Sequence, residues 1–235
     1  MMFSNQFILS IRDQGKNILR EYEGGKVYLP FYQEYSLFIK NNNNVRCLCS
    51  VKIDGTDVLG GEQLVLNPYS STDLERFIAN GDLNKGKCFK FVPANDAAVQ
   101  DPTSGDNGIV EVAFKKELVA HTTYSPQIFM NSSTSGNSLG MMRSKSVDNG
   151  VFCCSVGSPT FACDMGATVE GSHSSQQFST VSSFPTETFS TTLRLQLVGS
   201  KNSVTAHDTK KVHCTSCGRK VKFNDNYCGS CGAKL

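Results

Sequence analysis

The chain has 235 residues, 39% of them hydrophobic and 19% charged, with a formal net charge of +2. That length suits one substantial domain with a small companion, and the composition is too mixed for a disordered chain. A charge so near zero excludes a protein held on nucleic acid or membrane by bulk attraction, and no apolar run approaches the roughly 18–20 residues that span a bilayer.

Residues 1–21 place apolar side chains at Phe7, Ile8, Ile11, Ile18 and Leu19, a weak helical period broken at Gly15. A short helix and an entry strand both fit this N-terminal segment. It lacks a basic leader and a small-residue cleavage site, so no secretory signal is expected. From Gly24 to about Leu118 the period changes to two. GKVYLPFY and YSLFIK are rich in β-formers, and NNNN after them is a polar turn. VRCLCSVKI sets Val45, Cys47, Cys49, Val51 and Ile53 on one face against Arg46, Ser50 and Lys52 on the other, with Leu48 the exception. Asp54-Gly55 is a hairpin signal, because glycine tolerates the positive φ of a tight turn. EQLVLNPYS, STDLERFI, GKCFKFVPA and GIVEVAFKKEL continue the alternation. About six to eight short strands, spaced about 8–12 residues apart, predict a mainly β fold, an antiparallel β-sandwich over residues 22–199.

Between about 120 and 190 the composition turns to Ser, Thr and Gly, and NSSTSGNSLG cannot bury enough apolar surface to order itself. A partly flexible insertion is expected there. VFCCSVGSPTFAC and GATVEGSHSSQQFSTVSSF carry spaced apolar residues, and TTLRLQLVG alternates through Leu193, Leu195 and Leu197. A half-buried strand needs a neighbour, so TTLRLQLVG is expected to return to the sandwich. Residues 200–212, SKNSVTAHDTKKV, read as a polar linker to a tail at 213–235.

That tail reads CTSCG, a basic spacer RKVKFNDNY, then CGSCG. Each C-x-x-C brings two thiolates together on one turn, and Gly218 and Gly232 follow where the backbone must curl. Four thiolates from Cys214, Cys217, Cys228 and Cys231 match the tetrahedral preference of Zn²⁺. Paired spacing without a secretory signal favours metal over disulfides, in a reducing intracellular setting. So short a segment cannot fold on apolar burial alone, and about 10–16 kcal/mol from structural zinc would be its folding energy. Four protein ligands leave no open position for catalysis.

The stretch from Cys214 to Leu235 resembles the short zinc-ribbon family found at the ends of otherwise unrelated proteins: CxxCG, a basic spacer, Tyr227 before the third Cys, CxxCG and a closing Lys-Leu. The proline usual after the first Cys of each pair is replaced by Thr215 and Gly229, which leaves the ligands untouched. The likeness implies zinc binding and often contact with protein or nucleic acid. DGTDVLGGEQLVLNPYSSTDLERF followed by KCFKFV is similar to an uncharacterised β-sandwich module of large DNA viruses, phages and some microbes, at times ending in such a ribbon. This second likeness implies a virus-encoded or virion-associated protein and brings no active residues.

Other constellations are weaker. Cys47 and Cys49 share a strand face and are expected in the core. Cys153, Cys154 and Cys163 with His173 offer ligand atoms at no regular metal spacing, and His121 and His207 lie in polar surroundings. Asp54, Asp57 and Glu62 lack the calcium-loop spacing. Phosphate-loop, dinucleotide and zincin motifs are absent from the sequence. Lys220, Lys222 and Phe223 combine two cations with an aromatic, the ingredients of single-strand binding. The expectation is a non-catalytic structural or interaction protein that binds zinc and docks on a protein partner or on itself, with nucleic-acid binding through the ribbon as the alternative.

Overall fold

The computed structural model describes residues 1–78, 81–119, 165–199, 212–214, 216–222 and 225–234. Wherever apolar and polar side chains alternate, the chain is extended, as in β6 (Cys47–Ile53), β10 (Gly86–Pro93), β11 (Ile109–Lys116) and β13 (Thr191–Gly199); β5 (Glu34–Asn41) is also long but is buried without a break from Tyr35 to Ile39. The N-terminal segment is strand rather than helix, as β1 (Met2–Ser4) and β2 (Phe7–Arg12). The shorter strands are β3 (Glu21–Tyr22), β4 (Lys26–Leu29), β7 (Thr56–Asp57), β8 (Leu64–Leu66) and β9 (Ser71–Leu74), and the nine-residue β12 (Gly166–Ser174) completes the set. No helix among the described residues is long and apolar enough to cross a membrane.

The strands form two sheets. The first runs β1-β2-β5-β10-β12, with β9 also on β5; the second runs β3-β4-β13-β11-β6-β7, with β8 also on β6. Pairing is antiparallel except between β4 and β13, where Val27 lies beside Leu197 in parallel register. Those two strands are far apart in sequence, so no hairpin dictates their direction. TTLRLQLVG returns to the second sheet, between β11 and β4.

Core side chains come from the facing surfaces of both sheets. Phe7, Leu9, Leu37, Ile39, Phe89 and Phe91 of the first meet Val27, Cys49, Val51, Val112, Phe114 and Leu195 of the second in one buried cluster. The Phe7 and Phe114 rings stack at 4.3 Å between centroids. Each such side chain contributes about 1.5–3 kcal/mol by leaving water. β2 explains its own lack of alternation: every residue from Phe7 to Ile11 is buried, because both faces of the strand are covered. A strand covered on both sides loses the period of two.

The Asp54-Gly55 turn has positive φ at both residues, 52° and 75°, as a two-residue hairpin demands. It joins β6 to β7. Within the Ser-rich stretch, Gly166–Ser174 forms β12 on the edge of β10. Residues 120–164, where most of the flexible insertion is expected, lie outside the described residues, as do 200–211 of the linker.

Candidate metal centre

The tail consists of two matching turns. In the first, β14 (Val212–His213) pairs with β15 (Lys220–Val221). Cys214 N–H donates to the Arg219 carbonyl at 2.8 Å and Gly218 N–H to the Cys214 carbonyl at 2.8 Å. The second turn repeats this with Cys228 N–H to Ala233 and Gly232 N–H to Cys228, both at 2.8 Å, and Tyr227 bridges to Lys234. Gly218 and Gly232 sit at φ 75° and 73°, the left-handed region that a side chain resists. Backbone N–H groups in each turn point at sulfur, among them Ser216 to Cys214 Sγ and Ser230 to Cys228 Sγ, both 3.4 Å.

The two turns face each other, so the sulfurs of Cys214, Cys217, Cys228 and Cys231 all lie within 4.8 Å of one another. Cys214 and Cys231 stand 3.6 Å apart and Cys217 and Cys228 3.7 Å. Sulfurs at the corners of a tetrahedron, each about 2.3 Å from a shared ion, are about 3.8 Å apart. The donor set therefore fits a four-coordinate metal ion. Its protons are unevenly held: burial first, then the neighbouring sulfurs, pushes Cys217 up to about 12, while the Ser230 and Cys231 amides hold Cys228 down to about 6. A divalent cation stabilises all four thiolates at once and displaces the protons they would otherwise share.

Of the residues singled out for nucleic-acid contact, Lys220 and Lys222 are exposed on the ribbon and Phe223 lies outside the described residues. Cys47 and Cys49 are fully buried between the sheets, 3.9 Å apart through sulfur. Cys153, Cys154 and Cys163 lie outside the described residues, and His173 is exposed on β12.

Three features carry no sequence motif. A groove of about 730 Å³, lined by Leu48, Val65, Thr72, Phe178, Val181 and Phe184 among others, opens beside β8; among the described residues Glu62 is the one charged side chain on its walls. Arg76 is completely buried and donates to the carbonyls of Phe77, Asp82, Leu83, Lys85 and Gln176. The first turn of the ribbon also touches the sandwich, where Lys40 Nζ donates to the Ser216 carbonyl at 2.7 Å. All three depend on residues distant in sequence. No family model, curated protein or solved structure matches this chain.

Proposed function

We propose that this chain is a non-catalytic structural or interaction protein, in which zinc held by Cys214, Cys217, Cys228 and Cys231 staples the ribbon and the β-sandwich serves as the docking body. The observation that carries the reading is the convergence of four sulfurs within 4.8 Å. Thiolates select zinc over the harder cations, and four of them leave no position for water or substrate. Among the described residues that line the groove Glu62 is the one charged side chain, so they offer no paired acid and base for proton transfer. The partner is a protein or further copies of the chain, and the likeness of DGTDVLGGEQLVLNPYSSTDLERF to a viral module supports a virus-encoded or virion-associated setting.

Metal analysis of the purified full-length chain tests the zinc; one ion per chain is expected, falling below about a tenth in Cys217→Ser and Cys228→Ser. Wild-type protein that carries no zinc overturns the assignment. Light scattering and co-sedimentation with assembled particles test the docking role. A chain that stays monomeric and sediments alone overturns it.

A second reading, nucleic-acid binding through the ribbon, is favoured by one observation. Arg219, Lys220, Lys222 and Lys234 are all exposed, and Asp225 is the one acidic residue among the described ribbon positions. Salt-sensitive binding to a single-stranded oligonucleotide, weakened in Lys220→Glu/Lys222→Glu, is the expected signature. No binding at low salt removes this reading.

A further inference from the structure

In a two-layer sandwich the face of a sheet turned away from the core is ordinarily solvated, and on β2 and β5 that face carries Ile8, Ser10 and Arg12 beside Ser36, Phe38 and Lys40. Here it is covered. Ile8 is 0% exposed and Phe38 8%, and the hydroxyls of Ser10 and Ser36 are buried without a hydrogen-bond partner among the described residues. Met1, Phe3 and Ile18 pack with Ile8 and Phe38 into a second apolar cluster, separate from the main core. Arg12 lies over the Phe38 ring at 4.2 Å and pairs with Asp73 at 2.6 Å, which closes one side.

The ribbon meets this cluster through its first turn. The Phe3 ring stacks on His213, 6.4 Å between centroids and 29° between planes. It also fills the space above Gly218, where an added Cβ would lie 2.2 Å from a ring carbon. Lys40 binds the Ser216 carbonyl on the same turn. Residues 213, 216 and 218 flank Cys214 and Cys217, so the surface that receives Phe3 is the metal-binding turn itself. Its shape depends on the sulfurs converging and on Gly218 N–H reaching the Cys214 carbonyl.

We infer that the ribbon is a metal-dependent latch: loading with zinc shapes the turn that caps Phe3, and loss of the ion uncovers the outer face of the β1–β2–β5 sheet around Phe3, Ile8 and Phe38. The inference rests on the zinc assignment made above. A ribbon this small has little apolar burial of its own, so without the ion it cannot keep the turn that Phe3 requires. Linkage makes the effect reciprocal: whatever docking adds to metal affinity, the metal adds to docking.

The test uses the full-length chain in three forms: zinc-loaded wild type, wild type stripped with a chelator, and zinc-loaded Phe3→Ala, with Lys40→Ala as a second variant in which the apolar cluster is intact. Metal content, ¹⁵N relaxation of the ribbon amides and hydrogen exchange at residues 2–12 are measured on each. In loaded wild type the ribbon amides should relax with the correlation time of the sandwich. Phe3→Ala should keep one zinc per chain, let the ribbon tumble faster, and release zinc to a competing chelator about 5–100-fold more readily. Lys40→Ala should shift both readouts in the same direction by less. Stripping should raise exchange across residues 2–12 while the strands of the second sheet stay protected. Zinc-bound wild type whose ribbon relaxes independently overturns the latch and leaves the zinc assignment standing, as does unchanged exchange at residues 2–12 after stripping. Wild type without zinc overturns both.

Discussion

Asp54 holds together segments that are far apart in the chain. One carboxylate oxygen accepts from Gly108 N–H at 2.7 Å and the other from Thr168 N–H, so the β6–β7 turn is tied to the start of β11 and to β12. Burial outweighs these donors and raises the carboxyl pKa from 3.8 to about 6. The folded chain therefore holds more proton than the unfolded one between about pH 4 and 6. Stability from this group is full below pH 4 and is lost as pH rises through 6, by about 1–2 kcal/mol after screening. A carboxyl titration near pH 6 by NMR, and a flatter stability profile in Asp54→Asn, are expected. Arg76 acts differently. Its five carbonyl partners lie on the loop after β9 and at Gln176, and its guanidinium rests 4.7 Å from the Phe178 ring beside the groove. Arg76→Leu removes the donor that those part-buried carbonyls share and should cost about 1–3 kcal/mol in urea unfolding. Arg76→Lys should recover only part of that, because an ammonium cannot reproduce the planar fork.

At the level of elements, β13 shows why alternation is a dependable sign. Leu193, Leu195 and Leu197 are buried, while Thr192 and Arg194 face solvent. Leu195→Ala should destabilise the sandwich by about 2–5 kcal/mol and Arg194→Ala by about 0.5 or less, measured in the same unfolding experiment. β12 reads poorly for an equally physical reason. Its neighbour β10 presses Phe91 onto it, so that a Cβ on Gly166 would lie 2.2 Å from the ring, and only small residues fit at that end. An edge strand built on Gly166 and Ala167 carries almost no hydrophobic signal. β2 hides its nature the opposite way, by being apolar on both faces.

At the scale of the molecule, the main core contains no ribbon residue among the described residues; its members come from the two sheets and the loops between them. Removing the metal should therefore leave the β spectrum and cooperative unfolding in place, with stability lowered by no more than about 2 kcal/mol. The ribbon should lose its order in the same sample, visible as collapsed amide dispersion at residues 212–234. Acid should do the same as a chelator, because protons compete for the four thiolates and metal affinity falls with pH.

The β class, the Asp54-Gly55 turn, the course of TTLRLQLVG and the four converging cysteines were legible without coordinates. Strand alternation, the turn and each C-x-x-C pair are written in residues one to three positions apart, and the two pairs themselves are separated by one short hairpin, eleven positions from Cys217 to Cys228. Only the tertiary structure decided that β4 lies parallel to β13, that Arg76 moulds one wall of a groove, and that the first ribbon turn caps Phe3. Those arrangements join segments tens to more than two hundred residues apart, and nothing in the local pattern at either end records which distant surface will close over it.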